Sequence, residues 1–272
     1  MIPKEINLGP LTIHFYGIII ALAIYAGYIL AKNRARLYKQ SLRSSPARRG
    51  AGLKISPKFF DDPLLILPLV LSIIGARLYH VFDYWTIYNQ NPISILFIQN
   101  GGLGIWGAIA GLMLGFYIFA RVKKLNFLVV LDIVAPSLLL GQSLGRIGNY
   151  INQEGFGPPT DLPWGVYINS ENRPPQYLNR SHFHPTFFYE AILDGIFFVI
   201  LLYLAQKLKI RGQVFALYLI LYSVGRFIVE FWRIDTATIG PIKIAQVLAV
   251  VAIFVGMVLF VKTLKTRISS TE

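Results

Sequence analysis

Residues 127–157 read FLVVLDIVAPSLLLGQSLGRIGNYINQEGFG, a long apolar run that passes into a polar, glycine-rich segment. The apolar part covers 127–148, and a helix needs about 20 mostly apolar residues to cross the hydrocarbon core of a bilayer. This stretch therefore predicts a transmembrane helix whose C-terminal end carries a group of polar side chains.

Similar apolar runs recur along the whole chain. Together they predict seven transmembrane helices, over residues 11–31, 62–82, 102–120, 127–148, 186–205, 214–232 and 243–261. Of the 272 residues 55% are hydrophobic and only 14% are charged, whereas a soluble domain carries about 25% charged residues. The sequence predicts an all-α polytopic membrane protein, with residues 1–272 forming a single transmembrane domain.

The basic residues are concentrated in alternate connections between the apolar runs. Nine Lys and Arg residues lie between Lys32 and Lys58, and further basic residues lie in 121–126, 206–213 and 262–272. Positive charge flanking transmembrane helices is retained in the cytoplasm. We therefore expect the N-terminus outside and the C-terminus in the cytoplasm, with a basic cytoplasmic loop at 41–58. The segment 149–185 is expected on the opposite, periplasmic or extracellular, side.

This topology accounts for the formal net charge of +13 without a nucleic-acid partner. A nucleic-acid-binding protein would need a basic face on a soluble fold, and none is visible. The absence of cysteine excludes thiolate metal sites and an enzyme thiol nucleophile. Four scattered histidines give no metal-ligand spacing. We expect no metal and no cofactor.

The first candidate site lies at 141–157, around Arg146. If the helix continues through Asn152, one face of it is shared by Gly145, Gly148, Asn149 and Asn152, with Arg146 beside them. The planar fork of an arginine suits a phosphate, and Glu154 could orient it or accept a proton. Helix packing through small residues, with an arginine that reaches the membrane surface, is the alternative interpretation.

Two more groups of ionisable residues interrupt apolar runs, although a charge at a helix centre costs roughly 2.5–3.5 kcal/mol. One stripe at helical spacing contains Tyr222, Arg226, Glu230 and Arg233. An Arg226–Glu230 pair that only permits insertion is an equal alternative there. In the second group, Glu190 and Asp194 share a helix face. His14 and Tyr16 lie at the outer end of the first run, where aromatic side chains anchor at the interface.

Under the expected topology these groups converge on the outer leaflet. Two or more arginines at headgroup depth predict a binding site for an anionic lipid. A small lipid transporter is the main alternative, but the chain has no internal repeat and its polarity does not continue to the inner side. A non-catalytic scaffold or receptor would bind phospholipid without turnover.

The segment 145–157 closely resembles a motif of the phosphatidylglycerol–prolipoprotein diacylglyceryl transferases, which first modify bacterial lipoprotein precursors. The pattern G-R-x-G-N-x-x-N-x-E-x-x-G is matched by Gly145, Arg146, Gly148, Asn149, Asn152, Glu154 and Gly157. Further blocks match in order: HFYG at 14–17, GAR at 75–77, GGLGIWGAIAG at 101–111, HPTFFYE at 184–190 and YSVGRFIVEFWR at 222–233.

The resemblance implies transfer of a diacylglyceryl group from phosphatidylglycerol to the thiol of a lipobox cysteine, with release of glycerol phosphate. It implies seven transmembrane helices in the bacterial plasma (inner) membrane, an active site toward the outer leaflet, and a prolipoprotein signal peptide as partner. The candidate catalytic residues are His14, Tyr16, Arg146, Glu154, Arg226 and Glu230. The candidate phosphatidylglycerol-binding residues are Arg146, Asn149, Asn152, Gly157, Tyr222, Arg226 and Arg233.

One position departs from the family pattern. Some members carry a histidine, proposed as the catalytic base, where this chain has Trp106. Because tryptophan cannot take a proton, a mechanism that uses this histidine does not transfer to this chain. The histidines that remain near the site by motif are His14 and His184.

Overall fold

The computed structural model describes residues 4–8, 11–44, 57–98, 101–208 and 210–268. The long helices are α1 (Phe15–Ser44), α2 (Leu67–Asp83), α3 (Ile105–Val122), α4 (Phe127–Asn152), α5 (Thr186–Lys207), α6 (Gln213–Glu230) and α7 (Ile244–Ile268). The antiparallel hairpins are β1 (Glu5–Leu8) with β2 (Leu11–His14), β3 (Val166–Tyr167) with β4 (His182–Phe183), and β5 (Thr238–Ile239) with β6 (Ile242–Lys243).

The predicted membrane architecture is confirmed, because seven helical segments in the described part of the chain are long and apolar enough to cross a membrane. They cover Phe15–Tyr38, Pro63–Asp83, Ile105–Val122, Phe127–Asn152, Thr186–Lys207, Gln213–Glu230 and Ile244–Leu264. The chain is therefore a mostly helical, multi-pass membrane protein.

The first helix of the structure differs at both ends from the predicted range 11–31. Residues 11–14 form strand β2, which pairs with β1, so the helix begins at Phe15. It then continues through Ser44, past the predicted end at residue 31. Charge ends the apolar run, but Lys, Arg, Leu and Gln favour helix and no Pro or Gly occurs until Pro46. Residues 41–44 of the predicted 41–58 loop are thus helical, and 45–56 lie outside the described residues.

The chain forms two compact units. One contains Met1–Ala31 and Asp132–Glu272, and the other contains Lys32–Leu131. In the second unit α2 packs on α3 through glycines. A Cβ at Gly107 would overlap the Gly75 carbonyl oxygen, and one at Gly111 would overlap that of Leu71. This contact tolerates no side chain, as in other close-packed membrane helices.

Arg77, within α2, is buried and organises the loop before α3. Its guanidinium donates hydrogen bonds to the carbonyl oxygens of Ser94, Ile95, Phe97, Gly101 and Gly102. The Tyr88 ring lies 5.1 Å from its guanidinium carbon. This arginine is fully engaged by backbone and therefore stabilises the loop.

Asp62 directly precedes the second apolar helical segment, Pro63–Asp83. The side chain of Asp62 contacts the Lys123 ammonium and accepts a hydrogen bond from the Leu64 N–H at 3.0 Å. These two interactions, the Lys123 contact first, hold the pKa of Asp62 below its usual range. The charge is therefore present at neutral pH.

The first unit contains α4 from Asp132 onward, together with α5, α6 and α7. Asp132 in α4 is buried and accepts hydrogen bonds from the Gly212 and Phe215 N–H groups, at 2.6 and 2.9 Å. It thereby caps the N-terminus of α6, where backbone donors lack intrahelical partners. The cap ties α4 to the helix that carries Tyr222, Arg226 and Glu230.

The segment 149–185 folds around a small core that it shares with Phe187 of α5. Phe156, Ile168, Phe183 and Phe187 are buried together. Gln153 has φ 56°, and its side chain accepts hydrogen bonds from the Asn169 N–H and the Asn172 amide, at 2.8 and 3.0 Å. We call residues 153–185 the head. It begins where α4 ends and leads directly into α5.

Candidate functional site

Glu190 lies near the start of α5, and its carboxylate is the centre of an arginine cluster. Its side chain is 1% exposed, and Arg146 from α4 contacts Oε1. Arg226 from α6 donates from Nη1 to Oε2 at 3.0 Å, and Nη1 of Arg233 lies 3.7 Å from the same oxygen. One buried carboxylate therefore holds three guanidinium groups from different segments.

A second buried carboxylate supports the same cluster. Nη2 of Arg226 lies 2.7 Å from Oε2 of Glu230, and the Glu230 side chain is 0% exposed. The Thr236 hydroxyl donates to its other oxygen. The arginine side chains remain 14–19% exposed, so the guanidinium groups form the accessible layer over buried carboxylates. Such an array of preorganised donors suits a phosphate.

Arg233 does not lie on the helical stripe predicted for it. Helix α6 ends at Glu230, and the Lys243 ammonium donates to the carbonyl oxygens of Glu230 and Arg233 at 2.5 and 2.7 Å. Arg233 reaches Glu190 from the turn that follows, where it also pairs with Asp235 at 3.1 Å. Arg233 therefore joins the cluster from the turn after α6, not from the helix face on which it was predicted.

Polar side chains at the end of α4 form a hydrogen-bonded chain, Glu154–Asn149–Arg146, which we call the relay. As expected, the helix continues through Asn152. Nη1 of Arg146 donates to Asn149 at 3.0 Å, and the Asn149 amide donates to Glu154 at 2.9 Å. The Asn152 amide reaches the same Glu154 oxygen at 3.4 Å. Glu154 thus positions Arg146 through Asn149, while its own side chain stays exposed.

Tyr16 lies beside this relay. A Cβ at Gly148 would overlap the Tyr16 ring, so the glycine lets the ring pack directly on α4. Tyr16 is close enough to Glu154 and Arg146 to interact electrostatically with both. His14 is the last residue of β2 rather than a helix end; it is exposed, and its Nδ1 lies 3.2 Å from Glu5.

Tyr222 lies on α6 one turn before Arg226. Its ring is nearly parallel to that of Tyr218, with centroids 6.1 Å apart. The hydroxyl is within electrostatic range of Glu190 and Arg146. Tyr222 therefore borders the arginine cluster.

Gly157 and His184 are packing positions at the base of the head. The Gly157 N–H donates to the His184 carbonyl oxygen at 2.8 Å. A Cβ on Gly157 would lie 2.6 Å from the Trp232 carbonyl oxygen, so only glycine fits there. Nδ1 of His184 lies 3.1 Å from the Tyr189 hydroxyl. Gly157 thus holds the head against the turn after α6.

Trp106 belongs to the other unit, at the start of α3, and is 48% exposed. Its indole offers a donor N–H but no site for an abstracted proton. Within the described ranges, no group of three or more His, Asp or Glu side chains is arranged to hold a metal ion.

The central role of Glu190 was not predicted from the sequence. The sequence did contain an indication of this role. Glu190 and Asp194 interrupt an apolar run, and a buried carboxylate needs a cationic partner. The arginines at the same expected depth, Arg146 and Arg226, were the available partners. The sequence patterns grouped residues within a helix and left the contacts between helices open.

Comparisons with known proteins place the chain in a family. The family model described as prolipoprotein diacylglyceryl transferase matches residues 3–262. A phosphatidylglycerol–prolipoprotein diacylglyceryl transferase of Nostoc sp. is 40% identical over 261 residues, covering 94% of this chain and 87% of the relative. An enzyme of the same name from Clostridium novyi is 35% identical over 263 residues, covering 97% and 96%. The chain therefore belongs to the prolipoprotein diacylglyceryl transferase family of membrane transferases.

Proposed function

We propose that the chain transfers the diacylglyceryl group of phosphatidylglycerol to the lipobox cysteine of a prolipoprotein. The reaction forms a thioether and releases glycerol phosphate. The observation that carries the proposal is the set of three guanidinium groups held over the buried carboxylate of Glu190. The names of the relatives support the two substrates.

In the proposed mechanism, Arg146 and Arg226 bind the phosphate of the donor lipid. The substrate sulfur attacks the carbon of the diacylglyceryl group that is bonded to the phosphate oxygen, a carbon–sulfur bond forms, and the bond from that carbon to the phosphate oxygen breaks, so that glycerol phosphate leaves. The leaving oxygen keeps the electron pair, and the arginines stabilise the negative charge that develops. The nucleophile belongs to the protein substrate, which is compatible with a chain that lacks cysteine.

The thiol proton must pass to a base as the sulfur attacks. We assign this role to Glu154, because its carboxylate is exposed beside the arginine cluster while Glu190 and Glu230 are buried against arginines. His14 is the alternative base. Tyr16 and Tyr222 border the bound headgroup, and Asn149 and Asn152 keep Glu154 in place.

We further propose that this site faces the outer leaflet of the bacterial inner membrane. The support is the sequence pattern, in which the basic connections lie at the opposite ends of the helices from Arg146 and Glu190. A lipobox cysteine directly follows a signal peptide, so its thiol would meet the donor phosphate at headgroup depth.

The test uses the purified full chain in detergent with phosphatidylglycerol and a lipobox peptide. Glycerol phosphate release and a diacylglyceryl mass gain on the peptide cysteine are the expected products. Arg146→Ala and Arg226→Ala should each lower the rate on the order of 10²–10³-fold or more, since each removes a charged donor from the leaving group. Both variants should remain folded.

Arg180→Ala is the matched control. Arg180 lies in the head and pairs with Asp161 on the surface, so its removal should leave the rate unchanged. Near-normal rates in both cluster variants would contradict the phosphate-binding role. Absence of glycerol phosphate release by the unaltered chain, with lipid still bound, would overturn the proposed reaction.

A further inference from the structure

A second polar layer lies one helical turn from the arginine cluster. Each helix of the cluster contributes to it at a spacing of four residues: Gln142 before Arg146 on α4, Asp194 after Glu190 on α5, and Tyr218 before Tyr222 on α6. Four residues advance a helix by about 6 Å. Since α4 and α6 end at the cluster and α5 begins there, all three steps lead toward the membrane interior.

This layer contains oxygen atoms that lack donors. Asp194 is 1% exposed, and neither of its carboxylate oxygens has a hydrogen-bond partner among the described residues. Nε2 of Gln142 donates to the Tyr218 hydroxyl at 3.2 Å, but the buried Oε1 of Gln142 has no partner in the same part of the chain. Buried polar atoms are normally paired, and a buried carboxylate without donors is costly.

Asp194 is also not needed as a counter-charge in direct contact with the cluster. Arg146 and Arg226 contact Glu190, and Arg226 also contacts Glu230. Asp194 forms no such ion pair with the residues that the structure describes. Both oxygens of this carboxylate are therefore buried acceptors without a donor among the described residues.

The two layers together specify the ligand's chemistry. The cluster offers guanidinium donors, including a buried Arg146 Nε without a partner among the described residues, and these suit a phosphate. The second layer offers unpaired acceptors, and these suit hydroxyl groups. A phosphate ester with hydroxyls on the adjoining carbons satisfies both layers at once.

We propose that Asp194 and Gln142 bind the two free hydroxyls of the donor's glycerol headgroup and so select phosphatidylglycerol among anionic phospholipids. The inference rests on the proposed function and assigns two residues that neither the motif nor the relatives' names single out. On α6, the Tyr218 hydroxyl contacts the Gln142 amide, and the Tyr218 ring stacks on that of Tyr222.

The test compares phosphatidylglycerol with phosphatidylpropanol, which has the same phosphodiester and chain length in its headgroup but no hydroxyls. Each donor is supplied to the purified full chain with the lipobox peptide, and kcat/KM is measured from the peptide's mass gain. The unaltered chain should prefer phosphatidylglycerol by about 100-fold or more, because the analogue leaves buried acceptors unpaired.

Asp194→Leu should reduce this preference to less than about 10-fold, since the apolar side chain no longer requires a donor. Asp194→Asn keeps one accepting oxygen and should give an intermediate preference. Leu201→Ala removes a fully buried packing side chain from the same helix and should change kcat/KM by the same factor for both donors. If Asp194→Leu does not fold, Asp194→Asn and Gln142→Met provide the same comparison.

The outcomes separate the two proposals. Equal use of both donors by the unaltered chain would overturn headgroup selection while leaving the transferase reaction intact. An undiminished preference in the folded Asp194 variants would show that other groups bind the hydroxyls, and would overturn the assignment. Failure of the unaltered chain to transfer from phosphatidylglycerol would instead contradict the proposed function itself.

Discussion

Glu190 makes the arrangement of the site depend on a single buried side chain. Its carboxylate contacts Arg146 and Arg226, from two different helices, and approaches Arg233 in the turn after α6. A charged hydrogen-bonded network of this kind is cooperative, because each member fixes the geometry of the others. Its removal should therefore affect every arginine at once.

We predict that Glu190→Gln lowers the transfer rate on the order of 10²-fold, comparable to loss of a preorganised donor. The amide has the same shape but lacks the charge that holds the guanidinium groups. The measurement is peptide lipidation at saturating donor, with thermal unfolding followed in parallel.

Glu171→Gln is the control, since Glu171 is an exposed acid of the head. It should behave like the unaltered chain in both assays. A fully active Glu190→Gln variant would mean that the arginines hold their positions without this carboxylate.

Trp106 gives a prediction with a smaller effect. We expect Trp106→Ala to lose less activity than Arg146→Ala, because an indole takes no proton and makes no charge-assisted contact with phosphate. The two variants should be compared by kcat/KM at the same pH. Equal losses would assign the tryptophan a direct part in substrate binding.

The residue types of the site could be predicted from the sequence, but the partners that come from other helices could not. Arginine and glutamate inside apolar runs are costly enough to indicate function. Spacing within one helix correctly grouped Arg226 with Glu230. The contact from Arg146 to Glu190 depends on how two helices are rotated, and that rotation is set by packing of the whole unit.

At the scale of elements, all seven helices could be predicted from apolar length, whereas their ends could not. Helix α1 continues through 32–44 because good helix formers follow the apolar run. The short hairpins were missed since two-residue strands leave no alternating pattern. Residues 11–14 were apolar enough to be read as helix, yet they pair with β1.

The glycine contact between α2 and α3 gives a test at this scale. A Cβ at Gly111 would overlap the Leu71 carbonyl oxygen, whereas one at Gly141 on α4 would meet nothing within 4 Å. We predict that Gly111→Ala destabilises the protein by about 1–3 kcal/mol, as overpacking does. Gly141→Ala should be neutral or stabilise it by up to about 1 kcal/mol.

Thermal unfolding of both variants in the same detergent checks this prediction. Alanine favours helix at either position, so any difference between the variants arises from packing. Equal melting temperatures would mean that α2 and α3 separate without cost to accommodate the methyl group.

At the scale of the whole molecule, the charge pattern predicts the orientation of the seven helices. The described residues give helices of suitable length, and the basic connections assign the sides of the membrane on which the helix ends lie. Because the chain has no cysteine, a single introduced cysteine reports the side on which its position lies.

We predict that Ser170→Cys, an exposed position in the head, reacts with a membrane-impermeant maleimide in intact spheroplasts. Ser45→Cys, within the basic stretch from Lys32 to Lys58, should react only after the membrane is permeabilised, since positive connections remain in the cytoplasm. The cysteine-free chain should stay unlabelled throughout. The reverse pattern would place Arg146 and Glu190 at the inner leaflet, where the thiol of an exported lipobox cysteine could not meet the donor phosphate.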